Sequence, residues 1–592
     1  LAATLAAAAL IVAPMVGASA ANAAEPSSKV LKVAITSDID TLNPFTAILG
    51  SSTGILALQY QSLTAYSAKD NSVVPGAASK WKTSNGGKTW TFTMPSDRVW
   101  SDGKPMTAKD AAWTFEAIKK NKKLQQANGS LLENVTSVSA KNDTTLVVSL
   151  KAAQAPNPGA ELPIVPEHIW AKVKNPATFA NDKNDVGSGP FVVSSYQQGQ
   201  SVTLKANSHF WRGAPKIDGI TYVYYKNGDA AVQGLKTGEV DVVSGLEPAQ
   251  YQALKGQKGI TVNAGAGRRY TSVAINPGAK DADGKPLGDG NPALQDPVLR
   301  KAIVMAIDNK TLLTKVQQGL GTLGTGEVPP VYPTFALPAS ARTMTFDPDA
   351  ANKMLDTAGY TKGADGIRVD KSGKPLNLRL LGRSSDPTHQ QMADYIKPWL
   401  KAIGINVTVA MKSDNDVNDE STLGQYDMYF TGWGIGPDPD FQLSINQCSS
   451  RPNADGSGAL SESNWCSAAF DKLYTQQHTE LDATKRASLV KDAQEVIYKA
   501  AVNDVIWYAQ SLEAYRSDQF TGFVKQPEKG GVITGQNGYW GFYSATPVGG
   551  SSSASSVNPA VIIWPIVGVI VVAGIIVLIV MRRRRTTADQ RE

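Results

Sequence analysis

The chain has 592 residues, 42% of them hydrophobic, with 58 Lys and Arg against 52 Asp and Glu for a formal charge of +6. Five arginines against Asp589 and Glu592 put +3 of that charge after residue 581, which leaves the remainder near neutral and without the basic surface that nucleic acid requires. Four histidines and two cysteines, none at ligand spacing, speak against a metal centre, and neither a metal nor a cofactor is expected.

The first residues, "LAATLAAAALIVAPMVGASAANAA", are apolar and then small, with Ala21-Asn22-Ala23 as an A-x-A cleavage site, so 1–23 read as a signal peptide and the body as exported. Further on, "GSSTG" at 50–54 fits G-x-S-x-G with Ser52 as a nucleophile. That motif needs a strand before it and an acid and a histidine after it. The preceding "LNPFTAILG" is a poor strand, and His168, His209, His389 and His478 have no spacing that favours a partner, so no catalysis is expected.

In "GKTWTFTMPSDRVWSDGKPMTAKDAAWTFEAI", Trp90, Phe92 and Met94 alternate on one face of a strand. A "DGKP" turn follows, and Thr107 with Asp110 three residues on opens a helix as a capping box. Later segments repeat an amphipathic helix, a glycine and a β-rich run, which points to an α/β architecture. "DAAVQGLKTGEVDVVSG" stops its helix at Gly238. "FDPDAANKMLDTAGY" caps at Asp347, takes Pro348 in its first turn and ends at Gly359. "THQQMADYIKPWLKAIGINVTVAM" stops at Gly404, with Pro398 inside. "DADGKPLGDGN" begins like a calcium loop but lacks the closing Glu, and "GLGTLG" at 319–324 follows a helix instead of a strand; both read as surface loops.

Cys448 and Cys466, an isolated pair in an exported chain, read as a disulfide. "VGGSSSASSVNP" at 548–559 is a flexible linker. The 22 uncharged residues of 560–581 would span about 33 Å as a helix, enough to cross a bilayer, and the arginines at 582–585 would hold the 582–592 tail in the cytoplasm.

"VPGAASKWKTSNGGKTWTFTMPSDRVWSDGKPMTAKDAAWTFEAI" closely resembles the signature region of the extracellular solute-binding proteins of family 5, the peptide-type receptors of ABC importers. "SDIDTLNPF", "VGSGPFVVSSY", "DPVLRKAIVMAIDNKTLL", "FDPDAANKMLDTAGY" and "YDMYFTGWGIGPDPDFQL" match in the expected order, over nearly all of 30–545. The resemblance implies an α/β, two-lobed receptor of the periplasmic-binding-protein type II class. The first lobe would take 28–75, 185–275 and 505–545, with an extra subdomain at 76–184, and the second lobe 276–504. It further implies a monomer that closes on a ligand and delivers it to a permease with its ATPases, here beside the lipid bilayer.

By the same resemblance, Thr41 and Asn43 lie on an early loop facing the cleft, and Arg268 and Tyr270 near one interlobe crossing. Trp433 and Gly434 open a loop that lines the ligand, and Trp507 and Tyr508 sit near the other crossing. Peptide receptors often carry an acid three residues after this Trp, to pair with the ligand's ammonium. Here Gly436 stands there, and Asp438 or Asp440 would have to replace it. Otherwise the ligand lacks a free amine, and an oligosaccharide stacked on tryptophans becomes the alternative. Nickel, another ligand class of the family, has little support from four histidines. A tethered sensor or adhesin that kept the fold is the remaining class.

Overall fold

The computed structural model describes residues 29–183 and 185–549. The expected signal peptide, membrane helix and basic tail lie outside the described residues, as does the linker beyond residue 549. Among the described residues no helix is long and apolar enough to cross a membrane.

Two mixed sheets dominate. The first has seven strands, in the order Ile260–Gly265, Ser511–Arg516, Val242–Ser244, Val30–Ile35, Gly219–Tyr224, Ser201–Ala206 and Phe191–Gln197. The second has six: Gly321–Leu323, Asn503–Ala509, Tyr270–Ile275, Met428–Thr431, Asn377–Arg383 and Asn406–Lys412. Each carries its own buried core, Leu31, Val33 and Ile220 in the first and Val273, Leu380 and Ile396 in the second, so the body has two lobes.

The helix–glycine–strand units build both sheets. The Gly228–Thr237 helix ends at Gly238 (φ 81°), and the chain returns as Val242–Ser244, where Val242 pairs in parallel with Val33. The Pro387–Ala402 helix runs through Pro398; Gly404 (φ 83°) then turns the chain into Asn406–Lys412, parallel to Asn377–Arg383. A left-handed φ at these two stops is nearly free for glycine and costly for any other residue.

A four-stranded antiparallel sheet (Lys80–Ser84, Thr89–Thr93, Thr145–Leu150 and Val135–Asn142) forms a separate layer. Trp90, Phe92 and Met94 are buried in its core with Phe115 and Trp170. The capping box is present: Thr107 Oγ1 accepts from Lys109 N (3.2 Å), and Asp110 Oδ2 accepts from Thr107 N (2.8 Å). This layer touches the second lobe, where Ala155 N donates to His478 O (2.6 Å).

The chain crosses between the large sheets twice, at 266–269 and at Gln510. Tyr270–Ile275 and Asn503–Ala509 both belong to the second sheet and pair antiparallel with each other. The crossings run side by side, so close that a β-carbon on Gly267 would stand 1.9 Å from Ala509 O. Only glycine fits there.

Candidate functional site

The gap between the lobes is built where these crossings meet the Met428–Thr431 strand. That strand pairs with Tyr270–Ile275, and the two chains stay together past its end. Tyr270 N donates to Trp433 O (3.2 Å) and Ile435 N donates to Arg268 O (2.8 Å), which sets Arg269 opposite Gly434. In an antiparallel pair of this kind, the groups of the two facing residues point away from each other. Gly434 N–H and C=O accordingly take no hydrogen bond among the described residues. Gly434 is exposed, and a side chain on it would meet nothing within 4 Å.

Trp433 is half-buried and anchored from behind. Its Nε1 donates to the Glu462 carboxylate, and its ring meets Phe441 edge-on at 6.2 Å. Phe441 is 60% exposed, an unusual state for a phenyl group beside a backbone edge. Glu462 is itself buried, and burial pushes its carboxyl up to about 8, with the nearby Glu327 charge adding to the effect. The loop that carries Glu462 is closed by the Cys448–Cys466 disulfide expected from the sequence.

The acids behave differently from expectation. Asp438 accepts from both terminal nitrogens of Arg486 (2.8 and 2.7 Å). Asp440 accepts from His478 Nδ1 (2.9 Å, with the ring nitrogen protonated), Gln477 Nε2 (2.7 Å) and Tyr474 OH (3.2 Å). Both therefore help to hold the loop, Asp438 through Arg486 and Asp440 through the Ala468–Thr479 helix. The carboxylate beside Gly436 comes from elsewhere. Glu161 Oε1 lies 3.5 Å from the β-carbon position of Gly436 and accepts from Tyr66 OH (2.9 Å).

Glu161 has a left-handed φ of 66°, a strained state that clusters at functional sites. Its side chain is exposed, yet desolvation raises its pKa; the Tyr66 hydrogen bond and the Arg268 charge oppose that shift, and the Asp438 charge adds to it. Arg269 shows the same combination with the opposite charge. It is exposed, burial lowers its pKa with Arg383 adding, and its guanidinium takes no hydrogen bond among the described residues. Arg268, half-buried, donates to Asn537 Oδ1, whose amide nitrogen reaches Tyr332 OH (3.2 Å) and Asn71 Oδ1 (3.3 Å).

Several of the expected contact residues have their polar groups paired within the fold. Asn43 is buried; its amide donates to Pro176 O (2.7 Å) and Phe179 O (2.9 Å) while its oxygen accepts from Phe45 N (3.0 Å). Thr41 is half-buried and only accepts from Asn43 N (3.1 Å). Tyr270 is buried with its hydroxyl accepting from Gln442 Nε2 (2.9 Å), and Trp507 packs in the second-lobe core. Tyr508 OH donates to Gly326 O (2.6 Å) and accepts from Thr325 N and Gly326 N. Tyr270, Trp507 and Tyr508 sit on strands buried on both faces, whereas Thr41 and Asn43 belong to the loop before the Gly50–Gln59 helix. Trp433, Gly434, Gly436 and Arg268 do come together at the gap, joined by Glu161, Arg269 and Phe441, which the sequence reading missed.

Ser52 is buried and donates to Asp40 Oδ1 at the start of the Gly50–Gln59 helix, a local tie. Among the described residues, no group of three or more His, Cys, Asp or Glu is placed to hold a metal ion.

A family model described as "Bacterial extracellular solute-binding proteins, family 5 Middle" matches residues 72–455. The dipeptide-binding protein of Escherichia coli is 26% identical over 494 residues, covering 79% of this chain and 86% of its own length. The nickel-binding periplasmic protein of the same organism is 26% identical, covering 80% of this chain and 86% of its own length. The ABC transporter substrate-binding protein CtaP of Listeria monocytogenes superposes with a TM-score of 0.73 at 21% identity, covering 88% of this chain and 100% of its own. At that identity the last match bears on the fold alone.

Proposed function

Given that the chain belongs to the bacterial extracellular solute-binding proteins of family 5, we propose that it captures short peptides between its lobes and delivers them to an ABC permease. The observation that carries this reading is the free Gly434 backbone flanked by opposite charges, with Glu161 beside Gly436 and Arg269 opposite Gly434. A zwitterion whose main chain pairs with an exposed edge suits that arrangement. Edge pairing supplies affinity that is blind to sequence, and the two charges read the ends. Its dipeptide-binding relative in Escherichia coli supports the same class.

Calorimetry with dipeptides and tripeptides, their N-acetylated and C-amidated forms, and a panel of oligosaccharides tests it. Free peptides are expected to bind, and each blocked end to lose about tenfold or more. Oligosaccharide binding without peptide binding overturns the reading in favour of a sugar receptor.

The proposal extends to how the molecule works. The lobes, at 28–75 with 185–275 and 505–545 against 276–504, would rock about the paired crossings with the 76–184 subdomain carried on the first, and the protein would act as a monomer. Residues 560–581 would anchor the exported body in the membrane with the 582–592 tail inside. Removing 560–592 should release the protein into the medium; retention at the membrane would refute the anchor. Loss of peptide uptake on deletion of the gene separates an importer from a sensor.

A further inference from the structure

A cavity of about 1030 Å³ lies in the first lobe at its seam with the four-stranded layer. Its lining comes from 67–98, 211–212 and 523–540, and no residue of 276–504 contributes. It shares no lining residue with the Glu161, Arg269 and Gly434 gap. Val74, Pro75, Phe523 and Trp540 make much of its wall apolar, while Arg98, Arg212, Lys69 and Lys525 bring positive charge against Glu528.

Arg98 is the anomaly. It is 8% exposed, its Nε is buried without a hydrogen-bond partner, and among the described residues nothing accepts from its guanidinium. The group lies over the Trp211 ring at 3.4 Å, and Arg212 stacks on the same indole at 4.0 Å. Arg212 is otherwise satisfied, donating to Tyr539 OH and Pro75 O (both 3.0 Å). Stacking on an indole offsets part of the desolvation of a guanidinium, but it satisfies none of its five donors. A largely buried cation whose Nε has no partner, next to a second cation, is an expensive arrangement unless an anion meets the terminal nitrogens that reach the cavity. Burial lowers its pKa, the Asp97 charge opposes this and the Arg212 charge adds to it, yet Asp97 forms no ion pair with it.

We propose that this cavity is a second ligand site, taking a small carboxylate with an apolar body, such as an aryl or alkyl acid. The carboxylate would accept from Arg98, and the body would fill the space between Val74, Phe523 and Trp540. A planar carboxylate matches the guanidinium fork, and the apolar wall disfavours a fully hydrated anion.

The test is calorimetry on the full chain with benzoate, benzamide and inorganic phosphate, repeated on Arg98→Met. Benzoate is expected to bind, with benzamide and phosphate each about tenfold weaker or worse, and Arg98→Met to weaken benzoate by about tenfold. Equal binding of benzoate and benzamide overturns the site, as does benzoate affinity unchanged in Arg98→Met. So does phosphate binding tighter than benzoate, or no benzoate binding at tens of millimolar. Should Arg98→Met fail to fold, the benzoate and benzamide comparison on the unaltered chain decides.

Discussion

The Glu161 carboxylate stands 3.5 Å from the point a β-carbon would occupy on Gly436. A carboxylate from the segment after the four-stranded sheet thus stands beside the position that the loop leaves blank. Glu161→Gln is expected to lower peptide affinity by about tenfold to a hundredfold, measured by calorimetry. Gly436→Asp alone should also weaken binding, because two carboxylates then crowd one space. The double variant should recover most of the loss. If Glu161→Gln binds as the parent does, the amine is read elsewhere.

Gly267 packs against the Ala509 carbonyl with no room for a methyl group. Gly267→Ala should cost about 1–3 kcal/mol in chemical unfolding by forcing the two crossings apart. It should also change the ligand-dependent difference in small-angle scattering, since the wedge sits on the proposed axis. An unchanged midpoint would show that the crossings yield easily.

The Cys448–Cys466 bond closes the loop from which Glu462 holds the Trp433 indole. Replacing both cysteines by serine should destabilise the chain by roughly 3 kcal/mol on the loop-entropy estimate. Ligand affinity should fall with it, because the indole loses a fixed support. A stability loss with affinity intact would separate the staple from the site.

Glu462 carries a carboxyl whose pKa is raised to about 8 by burial. The folded state therefore holds a proton that the unfolded chain releases near its ordinary value of about 4.3. This contribution to stability is complete below about pH 4 and is lost as pH rises to about 8, after which it no longer changes. Glu462→Gln should flatten that part of the pH profile of the melting temperature. A parallel profile for parent and variant would place the titration on another group.

Asp438 and Arg486 form a two-point ion pair, with Arg486 mostly buried. Arg486→Met leaves the Asp438 carboxylate without its partner and should cost about 3–5 kcal/mol in denaturant unfolding. A loss under 1 kcal/mol would mean that water reaches the pair.

Much of the scaffold was readable from residue order, because its signals are local. Gly238 and Gly404 stop helices by backbone conformation, and Thr107 with Asp110 caps one through hydrogen bonds three residues apart. The site was less readable. Trp433 and Gly434 were visible because the loop itself shapes them. Glu161 reaches Gly436 from 275 positions earlier in the sequence, and nothing around "PGAEL" marks it as a partner. Asn43 and Tyr508 carry polar groups near the right elements, but the acceptors of the Asn43 amide and the partners of the Tyr508 hydroxyl are distant in sequence. Asp438 and Asp440 looked available for the same reason, since Arg486 and His478 approach only in the folded chain.

Ala155 lends its amide to His478 across the gap, far along the chain from either crossing. If the lobes part as proposed, that single proton is traded for deuterium only when the jaws gape. Its exchange rate then serves as a clock: brisk in the empty receptor, slow once cargo is aboard, with the ratio reporting how often the mouth opens unfed.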